Sequence, residues 1–134
     1  MKARQPPIVF ITSNDEKELP DAFLRRCLFH YVKFPDLARL TEIVHAHFPE
    51  TQRHVVDTAV SRFLELRKEM YRDKGEAGKK VSTSEFIDWF RVLQHYPQEE
   101  ALAKLEGELP FASILLKSWD DHERYLKRRE PDEH

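Results

Sequence analysis

Few side chains in this sequence sit at spacings that could carry chemistry. Seven histidines raise the question of a metal site. His45 and His47 are two residues apart on a predicted helix, so they point about 200° apart and cannot easily share one ion. His54 lies beyond Pro49, which ends that helix. Asp120, Asp121 and Glu123 form a carboxylate cluster. On a helix they fan over more than half a turn, the pattern of a solvated N-terminal turn. Gly78-Lys79-Lys80 has the flavour of a phosphate loop, but a Walker A pattern needs glycine where Asp73 stands. Lys127-Arg128-Arg129 is a short basic run suited to a helix C-terminus. Cys27 is the single cysteine, expected to be buried or half-buried and structural. The aromatic run from Phe86 to Tyr96 reads as core.

The bulk properties narrow the classes. The chain has 134 residues, with 22 Lys and Arg against 24 Asp and Glu. A formal net charge of -2 gives no electrostatic drive toward nucleic acid or an anionic membrane. Only 3 glycines argue against a turn-rich β fold and against a glycine-built phosphate cradle. One cysteine excludes an intrachain disulfide and suits a reducing compartment. The apolar stretch from Pro6 to Ile11 is too short for a signal peptide, and no run reaches transmembrane length. A cytoplasmic protein is the expectation.

The elements that would position these residues divide near Pro35. Ile8 to Thr12 is apolar and β-branched and reads as a strand buried on both faces. Leu19 to Cys27 suits a short helix, and Leu28 to Phe34 a second strand. After Pro35 the period becomes helical. Asp36 is a predicted N-cap, followed by a stripe of Leu37, Leu40, Ile43, Val44 and His47. Residues 51–72 carry a second stripe: Val56, Ala59, Val60, Phe63, Leu66 and Met70. Asp73 to Lys80 reads as a polar loop. Ser82 and Glu85 fit a capping box ahead of Phe86, Trp89, Phe90 and Leu93. A helix over Glu99 to Leu105 ends before Gly107, and Phe111, Ile114 and Leu115 are core candidates. Ser118 can cap a last helix with Asp120–Arg124 and Glu123–Lys127 pairs. Residues 130–134 read as a frayed tail.

One constellation is more specific, and it runs from Ile8 to Asp36. Ile8-Val9-Phe10-Ile11-Thr12-Ser13-Asn14-Asp15 is followed by Leu19-Pro20-Asp21-Ala22-Phe23-Leu24-Arg25-Arg26-Cys27, then by Phe34-Pro35-Asp36. This resembles the carboxyl-terminal part of an AAA+ ATPase module, closest to the MoxR-like group. The resemblance implies that Asn14 is the sensor-1 residue at a strand tip. It implies that Arg26, with Arg25 beside it, is the arginine that reaches into a neighbouring subunit. Phe34-Pro35-Asp36 then matches the passage from the last core strand into the helical lid. The residue types suit phosphoryl transfer. A neutral amide can hold the attacking water, and a forked, permanently charged guanidinium can stabilise the transferring phosphoryl.

The resemblance thus implies a mainly α fold. Residues 1–35 are a strand-helix-strand remnant of the α/β core, and residues 36–129 form the helical lid bundle. The family's phosphate loop and Mg²⁺-binding strand lie upstream of sensor 1, so ATP and Mg²⁺ belong to the intact parent. The chain alone is expected neither to bind nor to hydrolyse ATP. The family's sensor-2 arginine has no counterpart in Val81-Ser82-Thr83-Ser84-Glu85. Expected partners are neighbouring subunits of a ring and a protein carrying a von Willebrand A-type domain. The alternative is a free-standing helical interaction module derived from such a lid. A DNA-binding helical domain is a distant third.

Overall fold

The computed structural model describes residues 4–13, 19–75 and 78–126. The chain forms two compact units, Met1–Val32 and Lys33–His134. In the first unit the described residues contain one helix, α1 (Asp21–Leu24). Pro20 opens it: its carbonyl accepts the N–H groups of Phe23 and Leu24 at 2.9 and 3.1 Å. The sequence predicts a helix to Cys27, but α1 stops after one turn. Tighter bonds from Arg26 N to Phe23 O and from Cys27 N to Leu24 O close it. No side chain of α1 is buried. A helix without a packed face has little to sustain it beyond a turn. Cys27 accordingly is exposed, not half-buried.

The predicted strands are the main correction. Neither Ile8–Thr12 nor Leu28–Phe34 is a strand, and no β-ladder forms among the described residues. Phe10 is 90% exposed and Leu28 fully so. A strand's hydrogen bonds run to another segment, and two short runs without a third strand or a covering helix do not hold together.

Among the described residues of the second unit all regular secondary structure is helical. It comprises α2 (Leu37–His47), α3 (Arg53–Lys74), α4 (Thr83–Leu93), α5 (Gln98–Glu106), α6 (Ala112–Leu115) and α7 (Trp119–Leu126). Side chains cap the starts of α2, α4 and α7. Asp36 Oδ1 accepts Arg39 N at 2.8 Å. Ser82 and Glu85 form the reciprocal capping box, and Ser118 Oγ accepts Asp121 N at 3.1 Å. Gly75, at φ 69, ends α3 in a conformation that glycine adopts without steric cost.

The core is built on α3, whose whole predicted stripe is buried, with Val55 in addition. Leu40 and Val44 of α2 and Phe86, Trp89, Phe90 and Leu93 of α4 join it. Leu37 and His47, predicted for the α2 stripe, are exposed. The short helix α6 is absent from the sequence reading. It begins after Phe111, a non-glycine residue at φ 51, and it buries Ala112 and Leu115.

Polar groups tie the helices at depth. Buried Arg62 on α3 donates to Leu105 O and, at 2.7 Å, to Gly107 O. It thereby satisfies carbonyls that the end of α5 leaves without partners. Trp89 Nε1–H donates to Pro110 O at 2.7 Å. Asp121 is not a solvated helix-start charge. It pairs with Lys74 at 2.6 Å, both side chains being largely buried. The Tyr125 hydroxyl donates to Asp73 Oδ2 at 3.2 Å.

Replacing Arg62 by Met keeps the stem and leaves two carbonyls without their donor. The loss is expected to be about 1–3 kcal/mol, read by urea unfolding of the helical signal. A change below ~0.5 kcal/mol would reject the capping role. Tyr125 offers a pH test. Burial, then the bond to and charge of Asp73, raise its hydroxyl above its ordinary value. The fold therefore favours the protonated form. That contribution is complete below the unfolded tyrosine value and is lost as pH rises through the raised one. As pH rises through and beyond the ordinary tyrosine value of about 10, wild-type stability should fall more steeply than that of Tyr125→Phe. Parallel slopes would show that Tyr125 does not contribute.

Candidate functional site

Of the three residues assigned to phosphoryl transfer by resemblance, Asn14 lies outside the described residues. The other two sit at the end of α1. Arg25 is its C-cap, with helical backbone at φ -66 and ψ -20. Arg26 follows in the closing turn. Both side chains are exposed, and among the described residues neither makes an ion pair. The same short turn thus presents two guanidinium groups to solvent. No described carboxylate neutralises them.

The motif Phe34-Pro35-Asp36 is placed in detail, and each of its residues has a physical task. Phe34 stacks on Phe63 of α3, ring centroids 6.2 Å apart and planes 30° apart. The Arg67 guanidinium carbon lies over the Phe34 ring, 3.5 Å from its centroid. Arg67 also donates to Val81 O at 2.8 Å. Pro35 disfavours helix at Phe34, so α2 cannot extend backwards. Asp36 then caps it. One aromatic ring therefore fixes where the bundle's chain begins, and one arginine ties that ring to the loop before α4.

The loop before α4, where the resemblance would put a sensor-2 arginine, makes structural contacts. Val81 is buried, and Ser82 begins α4. Lys80 donates to Gly78 O at 2.9 Å and lies 5.3 Å from the Tyr71 ring centre. Lys79 gives its carbonyl to Lys74 Nζ at 3.3 Å. These contacts give the Gly78-Lys79-Lys80 segment a local structural role. Among the described residues no three His, Cys, Asp or Glu side chains converge as metal ligands. A cleft lined by Arg62, Leu66, Glu69, Leu109, Tyr125 and Leu126 has a volume of about 20 Å³. That is room for a water-sized group, against the several hundred Å³ of a nucleotide pocket.

Arg62 and Arg67 are among the polar residues whose contacts reading the sequence missed. The available signal was register. Arg62 lies three residues after Ala59 and four before Leu66, on the buried side of α3. No family model, curated protein or solved structure matches this chain.

Phe34→Ala removes the ring that Phe63 and Arg67 enclose. A loss of about 1–3 kcal/mol is expected, at the lower end of buried Phe truncations because Phe34 is only half-buried. Arg67→Ala in the same background should cost less than it does alone, since one of its contacts is already gone. Strict additivity in urea denaturation would show that the two side chains act independently.

Proposed function

We propose that the chain is the carboxyl-terminal portion of a MoxR-like AAA+ ATPase. It joins the sensor-1 and arginine-finger segments to the helical lid. The parent hydrolyses ATP with Mg²⁺ in an oligomeric ring and remodels a protein partner, one with a von Willebrand A-type domain being the leading candidate. One observation carries the reading. A helical bundle with its own core opens on Phe34-Pro35-Asp36, and the unit before it leaves β-branched apolar runs in water. Runs of that composition suit a sheet that neighbouring strands complete.

In this reading the chain supplies charge and orientation. It contains neither Walker sequence, so it brings no phosphate cradle and no Mg²⁺-binding carboxylate of that kind. The Asn14 amide orients the attacking water. Arg26, open to solvent at the end of α1, stabilises the phosphoryl group in a neighbouring subunit's site, with Arg25 beside it. Hydrolysis then depends on assembly, because the charge comes from another copy. A second reading, a free-standing helical interaction module, is favoured by the completeness of the bundle. Its core is closed from Leu40 to Tyr125, with side-chain caps on α2 and α4.

Translation of the DNA upstream of Met1 separates the two. In-frame Walker A and Walker B sequences support the ATPase; a stop codon and a ribosome site there support the module. In an assembled ring, Arg26→Ala is expected to lower turnover on the order of 10³-fold while leaving nucleotide binding intact. A loss under tenfold would remove the arginine-finger role. The chain by itself is expected to give no heat with Mg-ATP in calorimetry at micromolar concentrations.

A further inference from the structure

The helix α7 has a light hold on the bundle. Tyr125 is its one buried residue, whereas every other helix of the second unit buries two or more. Leu126 adds a partly buried side chain to the core. An isolated helix of fewer than roughly 12–15 residues is marginal in water, and α7 spans only Trp119–Leu126. It is helical because it is seated.

Polar contacts supply much of that seat. Asp121 pairs with Lys74 at 2.6 Å, and the Tyr125 hydroxyl donates to Asp73. Both partners stand in the last turn of α3. The Lys74 and Asp121 side chains are 22% and 16% exposed, so water screens the pair little. Each group regains hydration when the two part, which lowers the cost of parting.

The residues ahead of α7 are anchored. Leu115 and Leu116 are buried, and Leu116 N–H donates to Ala112 O at 2.7 Å. Leu116 is already in extended backbone, and Lys117 and Ser118 after it are exposed. Two exposed residues beyond an anchored one suit a hinge. On the far side of that hinge, Tyr125 and Leu126 line the water-sized cleft with Arg62, Leu66, Glu69 and Leu109.

We propose that α7 is a detachable strap with the Lys74–Asp121 pair as its clasp. It leaves the bundle about Lys117–Ser118, melts as it goes, and opens the cleft beside Arg62. The helices α2 to α6 stay folded.

The test is amide exchange of the full chain, with circular dichroism reporting the helices. In the wild type, amides 123–126 should exchange through one shared opening, at least about 10-fold more frequent than that of the slowest amides of α3 and α4. Asp121→Lys sets like charges against each other at the clasp. It should abolish protection of 123–126 and lower the helical signal by roughly the share of α7. The amides of α3 and α4 should remain protected. Asp120→Lys makes the same charge change in the same first turn, on the exposed neighbouring side chain, and should leave 123–126 protected. Wild-type amides 123–126 as slow as the slowest of α3 and α4 overturn the proposal, since α7 then opens only with the whole bundle. Wild-type amides 123–126 without protection overturn it as well, because nothing is then fastened. Collapse of the whole bundle in Asp121→Lys does the same, since a detachable helix would relieve the clash by leaving. Protection of 123–126 that survives Asp121→Lys, or that is lost equally in Asp120→Lys, removes the clasp and the proposal with it.

Discussion

The contact between Phe63 of α3 and Phe86 of α4 is the point on which the bundle is built. Their ring centroids are 4.4 Å apart and the planes are inclined by 38°. Neither ring is open to solvent. Around this pair the other aromatics gather in order. Phe34 stacks on Phe63, while Trp89 and Phe90 pack against Phe86 from the same helix. Phe48, just past α2, reaches Phe90 at 5.1 Å. Aromatic pairs add about 0.5–1.5 kcal/mol beyond the area they bury. The same cluster therefore determines how α2, α3, α4 and the start of the bundle meet. Weakening its centre would loosen all four at once, because each touches the others through it.

The helices of this cluster were legible in the sequence because their signals are local. Val56, Ala59, Val60, Phe63, Leu66 and Met70 recur at helical spacing and lie on one buried face. Ser82 and Glu85 satisfy each other's backbone within one turn, so no distant residue is needed to locate the start of α4. The deep polar ties were not legible, for the opposite reason. Arg62 reaches carbonyls more than forty residues away. Lys74 and Tyr125 find Asp121 and Asp73 only once α7 has docked. Nothing in the spacing of a lone arginine says which helix end it will cap. The helix α6 was missed because four residues have no periodicity to read, and Phe111 before it adopts a backbone conformation uncommon for aromatics.

The strands failed for a physical reason that also separates the two units. A helix closes its hydrogen bonds within itself, and the bundle needs only side-chain packing to be complete. A strand's bonds must go elsewhere. The composition of Ile8 to Thr12 shows the surroundings it suits, not that this chain provides them. Of the candidate site, Asp36 was placed correctly at its cap. Arg25 and Arg26 occupy the end of a turn much shorter than the predicted helix. What periodicity could not supply was the packed face that would have extended it.

That absence bears directly on any chemical role for Arg26. Stabilising a transferring phosphoryl group requires a charge held to within about 0.5 Å, by elements that cannot drift. A four-residue helix with no buried side chain cannot hold it so from within. The rigidity must come from whatever covers Ile8–Ile11 and Leu28–Val32. A surrounding sheet would meet that demand by pairing the open backbone and removing the apolar side chains from water. The arginines and the apolar runs are thus one problem. Covering the runs is what would convert two solvated guanidinium groups into a positioned charge.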